Sequence, residues 1–402
     1  MDLPLYLVIA AIGFLGIAVA LVDPLLVVML AVPGVLFVQR IGGANLNLSI
    51  SDLLTTAAAI IALPLLRADM RTTTRLLGIA VVFEAILLLT VVVHPNSKSG
   101  FEWAHRLVLV AGSIAIGGVL GRARRAGQAV TVFLVLTTAL AVVAIGASVA
   151  HGFAPARPFG MQKNFVGAMT ASAVLIAFLA PAWLQVRRRD LKAIIVLCSV
   201  GLLASQSRGA MVALAAALLV AEIRKGRVSR RGIIAIAVVT PLVVFAFVSL
   251  RNESGQHHIN SLTYRADYSA LAYREWHMSP VFGQGLRFFT QPDAILQSDA
   301  HNVIATTLAE RGLVGAAALA LLIGLTLLAL WRLPPETGAI AIAFVAGRFV
   351  HGQFDIYWVA ATTTLPWLMV GIACGTADAD LADEEAVAPA PHRSSVARLG
   401  RR

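Results

Sequence analysis

Ala129–Ala150, AVTVFLVLTTALAVVAIGASVA, carries no charged side chain over a length that suffices to cross a bilayer as a helix, about 20 residues. In lipid no water can satisfy a free N–H or C=O, so such a segment must pair its backbone within its own helix. Comparable apolar runs precede it at Leu3–Val22, Pro24–Val38, Leu53–Leu66, Leu76–Val93 and Leu107–Leu120. Others follow at Phe165–Val186, Leu191–Ala204, Gly209–Ile223, Ile233–Leu250, Gly312–Trp331, Gly338–Val350 and Ile356–Gly375. The count is about 12–13 spans, with Leu3–Val38 the ambiguous stretch, because Asp23-Pro24 reads as a tight turn or a kink. Hydrophobic residues fill 58% of 402 positions and charged residues 13%, a balance that no soluble globular domain needs. The expected fold is an all-α, polytopic transmembrane helix bundle with one large external loop containing short helices.

Composition narrows the function. The start, Met-Asp-Leu-Pro, lacks a basic n-region, which predicts that the first span is retained. Cys198 and Cys374 both lie in apolar runs, so neither a disulfide framework nor a thiolate metal site is expected. The net charge of +11 could suggest nucleic acid, but no basic patch interleaved with aromatics accompanies it. Topology explains most of the charge. Basic clusters at Arg67/Arg71/Arg75, Arg122/Arg124/Arg125, Arg187–Lys192 and Arg224–Arg231, with Arg332 and the C-terminal arginines, alternate with the other loops and are therefore cytoplasmic. The remaining cations, among them Arg106, Lys163, Arg208, Arg265, Arg287, Arg311 and Arg348, fall outside or at outer span ends. An outer cavity built for an anion would account for them, as would headgroup contacts for several. Thr376–Arg402 is acidic, then Ala/Pro-rich, then basic, and reads as a disordered cytoplasmic tail behind a transmembrane domain over residues 1–375.

The external loop, about residues 251–311, holds the most reactive groups. Leu262–Met278 reads as a helix closed by Pro280 and Gly283-Gln-Gly285, and its tyrosines suit the headgroup level. Arg265 and Arg274 lie nine positions apart, so at ~100° per residue they point to opposite faces. Ser298-Asp299 offers an N-cap for a short helix, His301–Arg311, with His301 and Asn302 in its first turn, where free N–H groups favour an anion. Ser205-Gln-Ser-Arg208-Gly209 joins two apolar runs at the outer end, and an arginine beside the membrane core is costly unless paired. Glu84, inside an apolar span, is a candidate arginine partner, and Arg348 with His351-Gly-Gln-Phe-Asp355 sets another cation and imidazole at an outer helix end. No Asp/Glu pair and no His/Cys cluster with metal spacing is visible outside, which predicts chemistry without a metal or cofactor.

Together these pieces resemble the O-antigen ligase and polymerase family of bacterial membrane glycosyltransferases. His301-Asn302, nine residues, Gly312, two residues, Gly315 is similar to that family's signature at the end of its large periplasmic loop. Ser207-Arg208-Gly209, Ser279-Pro280-Val-Phe-Gly283-Gln-Gly285-Leu and Asn47-Leu-Ser-Ile-Ser-Asp52 resemble three further motifs in the family's order. The resemblance implies a GT-C-like bundle with an outer cavity under the large loop. It implies metal-independent, inverting transfer of a glycan from a polyprenyl-diphosphate carrier to an acceptor hydroxyl on a lipid, a glycan or a protein. By matching position, Arg208 and Arg265 would hold the diphosphate and His301 would act on the acceptor hydroxyl. Asn302, Arg287 and Arg348 are additional candidates, although Arg287 has no expected counterpart in the family. A polymerase extending lipid-linked repeats shares donor and mechanism with a ligase. A solute transporter and a silent scaffold are the competing classes.

Overall fold

The computed structural model describes residues 19, 21–41, 48–95, 97–226, 261–290 and 299–387. The predicted span Ile233–Leu250, most of Leu3–Val22 and the chain beyond 387 lie outside the described residues. Asp23 resolves the early ambiguity: its carboxylate accepts from Leu25 N at 3.0 Å and Pro24 takes the first helical position, so a new helix starts there. That helix is α1 (Pro24–Gly34). A two-residue antiparallel pairing, β1 (Arg40–Ile41) with β2 (Leu48–Ser49), then leads into α2 (Ile50–Ala62). Next come α3 (Arg71–Val93), α4 (Lys98–Arg122, with a π-helical turn at Val108–Gly112), α5 (Ala126–Ala150) and α6 (Lys163–Leu179). Then follow α7 (Arg188–Ser205), α8 (Arg208–Arg224), α9 (Ser261–Met278), α10 (Val303–Trp331), α11 (Pro335–His351) and α12 (Thr364–Val387).

The chain is an all-α membrane bundle, and every candidate span within the described residues overlaps a helix, although the last, predicted from Ile356, becomes helical only at Thr364. Among the described residues four helices, α3, α4, α5 and α10, are long and apolar enough to cross a bilayer, and shorter apolar helices accompany them. α5 shows why they bury as they do: Val130, Phe133, Leu134, Thr137, Ala141 and Ala144 face the bundle, whereas Val132, Val135 and Val142 are left for lipid. α4 and α12 approach each other closely. Gly117 and Gly121 meet Gly371 and Gly375 so tightly that any Cβ would overlap a backbone oxygen of the facing helix. Small residues four apart allow that approach where no hydrophobic force distinguishes helix from lipid.

Two expectations need correction. The span predicted over Phe165–Val186 stops at Leu179, because Ala180 turns left-handed (φ 41°). The tail predicted as disordered from Thr376 is helical to Val387. Its carboxylates have partners that composition does not reveal. Asp378 accepts from Thr72 N (2.8 Å), Thr73 N (3.0 Å) and Thr73 Oγ1 (2.8 Å), capping α3, which has no cap of its own. Arg124 pairs with Asp380 at 3.1 Å and Asp383 at 2.5 Å.

Candidate functional site

The loop preceding α10 is held from both ends. Asn302, in extended conformation, caps α10 by accepting from Ile304 N and Ala305 N, each at 3.0 Å. The cap is therefore Asn302 rather than Ser298-Asp299, and His301 precedes the helix instead of occupying its first turn. Val303 N donates to Gly352 O at 2.7 Å, which sets His301 beside the end of α11. Nine residues on, α10 breaks at Gly312 (φ 60°, ψ −157°), a conformation essentially restricted to glycine. The Pro280–Gly285 turn enters this break. Leu313 N donates to Pro280 O (2.9 Å), Val314 N to Val281 O (3.1 Å), Gln284 N to Ala309 O (2.8 Å) and Gly285 N to Glu310 O (2.9 Å). The groups freed by the kink are thus paired again, as a membrane interior requires. Gly315 leaves the space that the Arg311 side chain occupies.

Beneath the turn lies a buried ion network that corrects two expectations. Arg106, counted among the cations free for an anion, donates Nε–H to Glu102 (2.7 Å) and pairs with Glu310 through Nη2 (3.3 Å). Arg311, fully buried, lies 3.6 Å from Glu310. Both guanidiniums stack on Trp358, at 4.8 and 5.0 Å from the ring centre. Glu102 also approaches Arg287 (3.8 Å) and His105 (3.9 Å), and His105 meets Asp52 at 2.8 Å. Carboxylates 208 positions apart in sequence (Glu102 and Glu310) thus share one arginine, so the acidic pair not visible in sequence exists in space. Asp299, outside the helices, has its pKa raised by burial and by Glu102, against the pull of Arg287 and Arg106. Glu84 does not serve as an arginine's hydrogen-bonded partner: both its carboxyl oxygens are buried without one.

A separate polar cavity opens where the first turns of α6 and α8 converge. Lys163, Asn164, Gln206, Arg208, Gly209, Arg265, His351 and Phe354 line about 330 Å³ of open space. The α7–α8 corner is fixed by Gln206 in left-handed conformation (φ 52°), its Nε2 donating to Phe153 O at 2.7 Å. Ser207 Oγ donates to Asn164 Oδ1 at 3.2 Å, tying the two helix starts together. Free N–H groups at two helix starts, with Lys163, Arg208 and Arg265, make the cavity suited to a multiply charged anion. His301 is next to it in electrostatic reach: burial lowers its pKa, Arg265 lowers it further and Asp355 opposes them. At neutral pH the imidazole is therefore uncharged and able to accept a proton. A second, apolar cavity of about 460 Å³ adjoins through His351, lined by Met169, Leu175, Leu214, Phe344 and Leu365 among others.

The expected residues accordingly separate. Arg208 and Arg265 share the polar cavity, with His301 beside it. Arg274 lies on the other face of α9, paired with Glu275 at 3.5 Å, as the helical spacing required. Arg287 turns to Glu102, and Asn302 serves as a cap. Arg348 is buried, its guanidinium committed to His351, Ile356 O and Tyr357 O. Lys163, Asn164, Gln206 and Asp355 were missed as site residues. Lys163 carried a signal as an outer cation, whereas the Asn164–Ser207 contact joins segments that nothing in the sequence connects.

Residues 193–320 match the family model described as O-antigen ligase, a stretch holding Arg208, Arg265, His301, Asn302, Gly312 and Gly315. No curated protein matches the chain. The protein is a helical membrane protein that is similar, across residues 193–320, to the O-antigen ligase family.

Proposed function

We propose that this protein transfers a glycan from a polyprenyl-diphosphate carrier to an acceptor hydroxyl at the outer face of a bacterial plasma membrane. One observation carries the reading: Arg208 and Arg265 line a single polar cavity, and His301 is coupled electrostatically to Arg265 and Asp355. In the reaction the acceptor oxygen attacks the anomeric carbon with inversion, and its proton passes to His301. The bond from that carbon to the diphosphate oxygen breaks, and the electron pair leaves with the polyprenyl diphosphate. Paired arginine forks stabilise that departing charge and supply the electrostatic help that the step needs. Carrier and acceptor, held together, replace an encounter in solution with a positioned one. The adjoining apolar cavity suits the first isoprene units of the carrier.

Single His301→Ala and Arg208→Ala variants test the reading in cells. Both should accumulate polyprenyl-linked glycan while the surface polymer disappears. Normal surface glycan in both variants, at normal protein level, would refute it.

A further inference from the structure

The role of Arg348 and His351 follows from one hydrogen bond. Arg348 Nη1 lies 2.9 Å from His351 Nδ1. A guanidinium has donors only and stays protonated, so Nδ1 must supply the lone pair. The proton of a neutral imidazole is then confined to Nε2. Arg348 is itself anchored to the Ile356 and Tyr357 carbonyls and stacks on Tyr357 at 4.7 Å, so it has little freedom to release the ring. His351 is 3% exposed, and its Nε2 is buried with no hydrogen-bond partner. The nearest carboxylate oxygen, on Asp355, lies 3.9 Å away, beyond hydrogen-bond range. Gly209, beside Arg208, has no Cβ to cover this edge of the ring; one would stand 3.7 Å from Nε2. His351 is also the residue that lines both the polar and the apolar cavity.

We infer that His351 is a neutral Nε2–H donor, locked by Arg348, that binds the lipid-proximal phosphate of an isoprenyl phosphate spanning the two cavities. This rests on reading the polar cavity as the diphosphate site. A ligand with its chain in the apolar cavity and its charge against Arg208 and Arg265 must cross the boundary at His351, and the first phosphate sits there. An unpartnered buried N–H is costly, so binding a phosphate oxygen at this point relieves the protein as well as holding the ligand. Arg348 is in this scheme a positioning residue that never touches the substrate.

The test measures binding of geranylgeranyl diphosphate and geranylgeranyl monophosphate to the full-length protein in nanodiscs. Wild type, His351→Ala, His351→Gln and Arg208→Ala are compared, with thermal melting confirming that each variant is folded. Gln places its amide N–H near the Nε2 position. His351→Ala should weaken both ligands roughly 10-fold, since the monophosphate retains the lipid-proximal phosphate, and His351→Gln should restore binding to within about threefold of wild type. Histidine ¹⁵N spectra should show Nδ1 unprotonated in wild type and a mixture of tautomers in Arg348→Gln. Unchanged binding in His351→Ala alongside loss in Arg208→Ala would overturn the inference and leave the carrier reading intact. Equal loss in His351→Ala and His351→Gln would assign the ring to packing and also overturn it. Wild type that binds neither ligand would remove both readings.

Discussion

Substituting Gly312 with alanine tests whether the spaced His–Asn and Gly motif is a device for seating the external turn. Gly312 holds φ 60° and ψ −157°, and a Cβ there would run into the Pro280 and Val281 carbonyls. An alanine in that region of backbone space costs about 1–3 kcal/mol. Relief by moving the turn away sacrifices the Leu313 N–Pro280 O and Val314 N–Val281 O hydrogen bonds, at 2.9 and 3.1 Å. Each is worth about 1 kcal/mol. The sum, about 3–5 kcal/mol, corresponds to a fall in melting temperature of roughly 4–6 °C for a chain of this length. Gly324→Ala, in the same helix with no atom near its Cβ position, is the control and should be neutral or stabilising. Thermal unfolding of the purified protein, followed by tryptophan fluorescence and size-exclusion recovery, gives the comparison. If Gly312→Ala melts with wild type and with the control, the turn is not held by the break and the account of the motif is wrong.

Transfer activity against pH should rise as His301 loses its proton, with a midpoint below the usual histidine value of about 6.5. Asp355→Asn removes the charge that favours the protonated ring and should move that midpoint lower still; an acid limb unmoved by this change would exclude His301 as the titrating base. Glu310→Ala removes the carboxylate beside buried Arg311 and leaves Arg106 with Glu102 alone, and should cost about 3–5 kcal/mol of stability, read as a drop in melting temperature, whereas Glu336→Ala in the exposed first turn of α11 should not. Arg208→Lys keeps the charge but loses the planar fork, and should reduce kcat/KM for a lipid-linked donor roughly 10-fold or more; activity within twofold of wild type would argue against bidentate phosphate contact. Asp378→Ala should destabilise by about 1–2 kcal/mol through loss of the α3 cap, with no change in donor binding.

The sequence alone determined the class of molecule. Apolar runs such as Ala129–Ala150 admit only helices in lipid, whereas Asp23-Pro24 stayed open between a turn and a kink until the structure put a helix start there. It also singled out Arg208 and His301, because a cation and an imidazole near outer span ends are unusual enough to stand out locally, whereas Arg265 was chosen over Arg274 only through the family resemblance. Tertiary structure decided which cations are available. Arg106 and Arg311 look like Arg208 in sequence, yet Arg106 meets Glu102 one turn away on its own helix and Glu310 from α10, and Arg311 lies against its neighbour Glu310, while Arg208 faces an open cavity. The acidic stretch after Gly375 appears unable to order itself until Thr72, Thr73 and Arg124 are seen to receive it. Local pattern reports what a residue costs to bury and can supply a partner one turn away, as Glu102 does for Arg106, but the packing of distant segments supplies the rest, as Glu310 does for Arg106 and Asp378 for α3, and so decides which charges remain for a substrate.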